Sequence, residues 1–187
     1  MKKSVLRKHV VLIGFSGSGK SSVGAHLADR MKVRFYDTDL MIEKARDMKI
    51  ADIFDRHGEP GFRKLESDMI RTLCQPRIRP GVVALGGGAF QNPNSRKLLL
   101  ACCHVIYLSC STREIYRRLG QTTDRPLLRA KPKTGETLRQ ARLRQIGEML
   151  RRRTANYRKA HHIYSTTGKT VPSAVTDLVR TIRRAYA

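Results

Sequence analysis

No apolar run in this 187-residue chain approaches the roughly 20 residues that a helix needs to cross a bilayer, which argues against a membrane span. The first residues, 1–8, are basic and lack the apolar core of a secretory signal, so a cytoplasmic location is expected. Cysteine is scarce: Cys74, Cys102, Cys103 and Cys110. They form no C-x-x-C pair and have no histidine at metal spacing, and Cys102 and Cys103 are neighbours that would rarely bond to each other. Buried free thiols are therefore expected, not a disulfide frame or a zinc site. No repeat and no low-complexity tract is present. Hydrophobic residues make up 40% and charged residues 28%, a globular balance, and the length suits one domain over 1–187.

Acidic residues are few. Asp and Glu number 15 against 38 Lys and Arg, a net charge of +23. The excess is uneven: residues 1–68 carry 14 basic and 10 acidic side chains, whereas 69–187 carry 24 and 5. Such a surface suits polyanionic ligands and also nucleic acid. Composition alone does not choose between these and a merely solubilising surface.

What the chain does have is alternation of short apolar runs with helical patterns, the mark of an α/β fold with a parallel sheet. Strands are expected over 9–13, 34–37, 82–85, 104–108 and 162–165. Between them, 20–31 reads as a helix with Val23, Leu27 and Met31 on one face. Asp39 opens another, since an acid suits that positive end. Residues 52–73 read as mostly helical with a break at 58–61. A helix from Pro93 is capped by Asn92, and another, capped by Ser111 or Thr112, runs to about Leu119. The segment 120–135 reads as a mobile loop, 136–157 as a very basic helix, and Val171-Pro172 as the start of a last helix.

Gly14-Phe15-Ser16-Gly17-Ser18-Gly19-Lys20-Ser21 matches G-x-x-x-x-G-K-[ST] in full, with a strand before it and a helix after it. Its glycines let backbone N–H groups cradle phosphate oxygens, and the helix N-terminus adds a positive dipole end. Lys20 supplies a point charge to the β- and γ-phosphates, and the Ser21 hydroxyl suits Mg²⁺. A nucleoside triphosphate is implied; the phosphate acceptor is not.

Further segments narrow the acceptor. Asp37-Thr38-Asp39 ends the second strand, where alternate residues point the same way and both carboxylates can face one cleft. That cleft lies at the carboxyl ends of the strands, beside the phosphate loop. Gly86-Gly87-Gly88 follows the third strand, where a common P-loop protein would carry an acid, and 82–85 contains none. The glycines are expected to offer bare N–H groups to an oxygen-rich substrate, with Mg²⁺ left to Ser21 and a water on Asp37. Arg63, Arg125 and Arg153 stand out by context only, because a lone arginine in so basic a chain is usually surface.

Together these pieces resemble the shikimate kinase family, of the nucleoside-monophosphate-kinase-like branch of P-loop kinases. The resemblance runs over nearly the whole chain. It rests on 14–21, Asp37-Thr38-Asp39, Phe62-Arg63, Gly86-Gly87-Gly88 and Arg125-Pro126-Leu127-Leu128. It implies a three-layer α/β/α fold with a five-stranded parallel sheet in the order 2-3-1-4-5, a substrate-binding segment near 39–72 and a mobile lid near 120–135. The implied reaction moves the γ-phosphoryl of ATP, with Mg²⁺, to the 3-hydroxyl of shikimate.

By the same resemblance Asp39 orients the accepting hydroxyl and takes its proton, and Lys20 and Arg125 act on the transferring phosphoryl. Gly17, Ser18, Gly19, Lys20, Ser21 and Ser22 bind the nucleotide phosphates. Arg118 and Pro172 flank adenine, Arg63 and Arg153 hold the shikimate carboxylate, and Gly86, Gly87 and Gly88 line its ring. Glu66, one helical turn after Arg63, is placed to hold that guanidinium. A monomer is expected.

Two departures stand out. Residues 129–138 look like an insertion, and the usual segment ending Leu-Tyr reads Thr154-Ala155-Asn156-Tyr157, with Arg153 chosen over Arg151 and Arg152 because it precedes Tyr157 by four. Other readings are a related kinase acting on a different hydroxylated acid, or a nucleic-acid-binding module on a kinase fold. Residues 117–159 hold 14 basic and 3 acidic side chains but one aromatic, Tyr157, so incidental binding is expected at most.

Overall fold

The computed structural model describes residues 6–119 and 131–185. Five parallel strands form one sheet: β1 (Val10–Ile13), β2 (Arg34–Asp37), β3 (Gly81–Ala84), β4 (His104–Ser109) and β5 (His162–Ser165). Their spatial order is β2-β3-β1-β4-β5, as the resemblance implied. β1 reads Val-Val-Leu-Ile because a central parallel strand is covered on both faces.

Among the described residues the helices are α1 (Lys20–Met31), α2 (Thr38–Arg46), α3 (Ile50–Leu73), α4 (Pro93–Cys102), α5 (Thr112–Leu119) and α6 (Leu138–Tyr157), which lie between strands, and α7 (Val171–Ala185), which follows β5. On one face of the sheet, Val10, Leu12, Val82, Ile106 and Leu108 pack against Val23 and Leu27 of α1 and Val175 and Leu178 of α7. On the other face, Val11, Ile13, Val83, Val105 and Tyr107 meet Ile70 of α3, Leu99 of α4 and Tyr157 of α6. Each such fully buried aliphatic side chain stabilises the fold by about 1.5–3 kcal/mol. Two smaller clusters sit beside the sheet, one joining α2 to α3 through Ile42, Ile53 and Phe62, the other joining α5 to α6 through Ile115 and Ile146.

The sheet order reverses at β1, whose neighbours are β3 and β4. A crevice opens there at the carboxyl ends of the strands, and the segment 14–21 leads into it. The pairing of Asp37 with Ala84 sets the ends of β2 and β3 side by side at the same crevice.

The structure alters several local expectations. α2 begins at Thr38 and its cap is Asp37, whose side chain accepts from the backbone N–H groups of Asp39 and Leu40. Asp39 therefore lies in the first turn instead of starting the helix. In α3 only Gly58 leaves helical geometry, with φ 65° and ψ −178°. Pro60 falls in the first turn of the helical stretch that resumes there, where its missing N–H costs nothing. A short 3₁₀ turn, Ala89–Gln91, was not anticipated. Only Cys103 is buried; Cys74, Cys102 and Cys110 are half-buried.

Candidate active site

The phosphate cradle is built from β1 and α1. Gly19 caps α1 at φ 96° with no side-chain hydrogen bond, so the N–H groups of the first turn face the loop. The Lys20 ammonium is buried and donates to the Phe15 carbonyl at 3.0 Å, folded back over the loop. The Ser16 and Ser18 hydroxyls are also buried, and neither has a hydrogen-bond partner among the described residues. Buried polar groups are ordinarily paired, so these two stand out in the loop. Ser22 is exposed one residue beyond the loop.

Ser21 and Asp37 meet at the mouth of the cradle, the Ser21 hydroxyl donating to the Asp37 carboxylate at 2.6 Å. No group of three or more His, Cys, Asp or Glu side chains arranged for a metal occurs among the described residues. A hydroxyl, one carboxylate and phosphate oxygens nonetheless fit Mg²⁺, which keeps most of its water and seldom uses an all-protein cage.

The acceptor side is assembled from four elements around Gly86–Gly88. Arg63 of α3 donates to Glu66 at 2.6 Å and to Glu59 at 3.1 and 2.8 Å. Burial works to lower the Arg63 pKa, but the two carboxylates leave it raised and the guanidinium charged. Glu66 is almost wholly buried. Burial pushes its pKa up, the Arg63 charge pulls it down, and the nearby Asp39 adds to the rise.

A Cβ on Gly86 would lie 2.5 Å from the Glu66 carboxylate and 2.7 Å from that of Asp39, and one on Gly88 would strike the Arg63 guanidinium. Close approach is thus the reason for glycine at these two positions. The expectation of three bare N–H groups is corrected at Gly86, whose N–H donates to the Thr38 hydroxyl at 2.9 Å. That hydroxyl in turn donates to Ala84 O at 3.3 Å, which ties α2 to the end of β3.

α6 closes the site. Arg153 donates to Gly87 O at 3.3 Å and lies over the Phe15 ring at 5.6 Å, whereas Arg151 and Arg152 are exposed. The buried Tyr157 hydroxyl donates to the same Gly87 carbonyl. Asn156, at the departing position in its motif, donates to the Gln91 side chain at 2.9 Å and joins α6 to the 3₁₀ turn.

On the nucleotide side, Arg118 of α5 donates to Thr166 O at 2.6 Å and to Ser18 O at 3.4 Å, and Glu114 grips its Nε at 2.8 Å. Pro172 lies exposed in the first turn of α7. Arg125 and most of the expected lid lie outside the described residues. Of the suggested insertion, 131–137 is held by Glu136, which accepts from the Lys133 N–H and pairs with Arg144 at 2.9 Å.

Sequence reasoning passed over Thr38, Gln91, Asn156 and Thr166. Each acts through a partner far away in the chain. The acidic frame around Thr38 and the departure from Leu-Tyr at Asn156 were the visible signals.

This sheet order, with a phosphate loop after β1 and a carboxylate and two arginines converging on a glycine turn, defines a P-loop kinase that phosphorylates a small molecule. The model of the shikimate kinase family matches residues 16–183, and the chain belongs to that family. It is 39% identical over 171 residues to a shikimate kinase of Geobacter metallireducens, covering 91% of this chain and 89% of the relative. Against a shikimate kinase of Chlorobium chlorochromatii it is 39% identical over 176 residues, covering 94% and 90%. A solved structure of shikimate kinase from Acinetobacter baumannii in complex with shikimate superposes with a TM-score of 0.80 at 29% identity, covering 98% of this chain and 94% of the other.

Proposed function

We propose that the chain transfers the γ-phosphoryl of ATP to the 3-hydroxyl of shikimate, giving shikimate 3-phosphate and ADP. The observation that carries this reading is the convergence of Arg63, Glu66, Asp39 and Arg153 on Gly86–Gly88, at the mouth of the phosphate loop.

Arg63 and Arg153 hold the acceptor carboxylate. A planar guanidinium matches a carboxylate in two parallel bonds, as an ammonium cannot. Glu59 and Glu66 fix the Arg63 fork, and the Gly87 carbonyl fixes Arg153. Gly86 and Gly88, lacking side chains, let Glu66, Asp39 and Arg63 close in around the ring. Asp39 orients the hydroxyl and accepts its proton.

Phosphoryl transfer rests on positioning and on neutralising the transferred group. Lys20 leaves the Phe15 carbonyl for the β- and γ-phosphates, Arg125 adds charge from the lid, and the N–H groups of 17–22 hold the remaining oxygens. Mg²⁺, held by Ser21 and by Asp37 through water, would neutralise charge shared between the β- and γ-phosphates. Arg118 and Pro172 border the adenine. Every residue named comes from one chain, so a monomer suffices.

An ADP-release assay with shikimate, with quinate and with no acceptor tests the reading. Release should depend on shikimate. Equal rates in all three, or a preference for quinate, would overturn it.

A further inference from the structure

Thr166 has no role in the reaction above, yet its side chain joins the phosphate loop, the end of β4 and α5. It follows Ser165 of β5, which pairs with Ser109 of β4. Its N–H extends that ladder by donating to Ser109 O at 2.8 Å. The chain then turns at Gly168, φ 69°, and the Lys169 N–H donates back to Thr166 O at 3.2 Å. Thr166 is thereby fixed at the carboxyl end of the sheet and is 2% exposed. Its hydroxyl proton is shared between two carbonyls, Ser18 O of the phosphate loop and Ser109 O, each at 3.1 Å. The hydroxyl oxygen accepts from Arg118 Nη1 at 3.2 Å, and the Thr166 carbonyl accepts from Nη2 of the same arginine at 2.6 Å. A hydroxyl can donate to a carbonyl and accept from a guanidinium at once, which no apolar side chain can do.

We propose that Thr166 is a positioning residue for the nucleotide: its one hydroxyl holds the Ser18–Gly19 peptide for the phosphates and Arg118 for the base. This rests on the reading that the loop and Arg118 receive ATP. Thr166 acts through these two groups and not on the ligand.

The physical reason lies in the peptide unit. A phosphate loop must turn its N–H groups to the ligand, so the carbonyls of the same peptides turn away and need donors behind them. Ser18 O meets the Thr166 hydroxyl and, more loosely, Arg118 Nη1 at 3.4 Å. No cis peptide occurs among the described residues. In a planar trans peptide the carbonyl and the N–H point opposite ways. Holding Ser18 O from behind therefore turns the Gly19 N–H away from Thr166 and into the cradle. Gly19, at φ 96°, would otherwise leave that peptide loosely set. The same hydroxyl and the Thr166 carbonyl fix the Arg118 fork, while Glu114 accepts from Nε at 2.8 Å. Without the hydroxyl, Ser18 O keeps only the long bond to Arg118 and Nη1 loses its nearer acceptor, so both ends of the nucleotide site loosen together.

The test is calorimetric binding of ADP with Mg²⁺, no acceptor present, to the full chain and to its Thr166→Val, Thr166→Ala and Thr166→Ser variants. Thr166→Val and Thr166→Ala should each weaken binding by about 5- to 50-fold, the loss expected when buried partners are left without their hydrogen bond. Thr166→Ser keeps the hydroxyl and should stay close to the parent affinity. In ADP-release assays the ATP KM should rise in the first two variants while the shikimate KM stays where it was. A fall in Tm with unchanged ADP affinity would make Thr166 structural and overturn the proposal. Equal rises in both KM values, or a Thr166→Ser variant as weak as Thr166→Val, would do the same. So would failure of both hydroxyl-free variants to fold where Thr166→Ser folds. A parent chain that binds no ADP would overturn the nucleotide reading itself, and this inference with it.

Discussion

In the proposed mechanism, one atom of Asp39 decides between binding and chemistry. It lies in the first turn of α2 at the crevice, its carboxylate close to Gly86. Asp39→Asn keeps the shape and removes the proposed base, so turnover should fall by about 10²–10⁴-fold while ATP still binds. Steady-state rates with a parallel nucleotide-binding titration check this; near-normal turnover would remove Asp39 from the mechanism. Arg63→Ala takes one partner from a largely buried pair, which costs roughly 2–5 kcal/mol. The shikimate KM should rise far more than the ATP KM, and equal effects on both would make Arg63 structural. Both residues were legible because each sits in a short motif. Arg153 was harder: three arginines stand in a row, and only the helical phase of α6, which turns Arg153 inward toward Gly87 and leaves its neighbours in solvent, separates them.

Elements that carry their own end signals were read closely. Asn92 caps α4 with bonds to the Asn94 and Ser95 N–H groups, and Pro93 follows it, as the sequence suggested. The start of α6 was placed two residues early because the capping box of Thr137 and Gln140 went unread. The amino ends of β1 and β4 hold a pH-sensitive pair of residues. His9 precedes β1 and accepts the Gly81 N–H at 3.2 Å, and the His104 backbone N–H donates to the His9 carbonyl at 2.8 Å. Burial lowers the pKa of both imidazoles below the ordinary value of about 6.5. The unfolded chain then binds more protons than the folded one below pH about 6.5, so stability is full above that pH and is lost as the pH falls toward the folded values. Thermal melts between pH 7.5 and 5.5, about one unit either side of that value, should show a falling Tm. The fall should be shallower in His9→Gln. An unchanged slope in the variant would exclude His9 as a contributor.

Charge is a property of the whole molecule. Among the described residues of α6 and its flanks, Lys131, Lys133, Arg139, Arg151, Arg152, Arg158 and Lys159 are exposed, while Glu136 and Glu148 both pair with Arg144. This surface should bind RNA weakly and without sequence preference. Counterion release would dominate, with log K falling by about 0.9 per neutralised phosphate for each log unit of salt. ADP release should decline far less over the same range, because Lys20 is buried and would act on the phosphates at short range. A salt titration that follows RNA binding and ADP release together checks this. Sequence-selective binding that survives about 0.3 M salt would instead make nucleic acid a genuine partner.

The sequence by itself determined the strand-and-helix alternation, the phosphate loop and the acidic and glycine segments of the acceptor side. These depend on period, on glycine and on end caps, all of which act within a few residues. Only the tertiary structure decided which arginine of three enters the site and why Gly86 and Gly88 must lack side chains. It also paired Asn156 with Gln91. Those contacts join segments far apart in the chain, and what fixes them is the packing of α3, α4 and α6 on one face of the sheet, which no local pattern encodes.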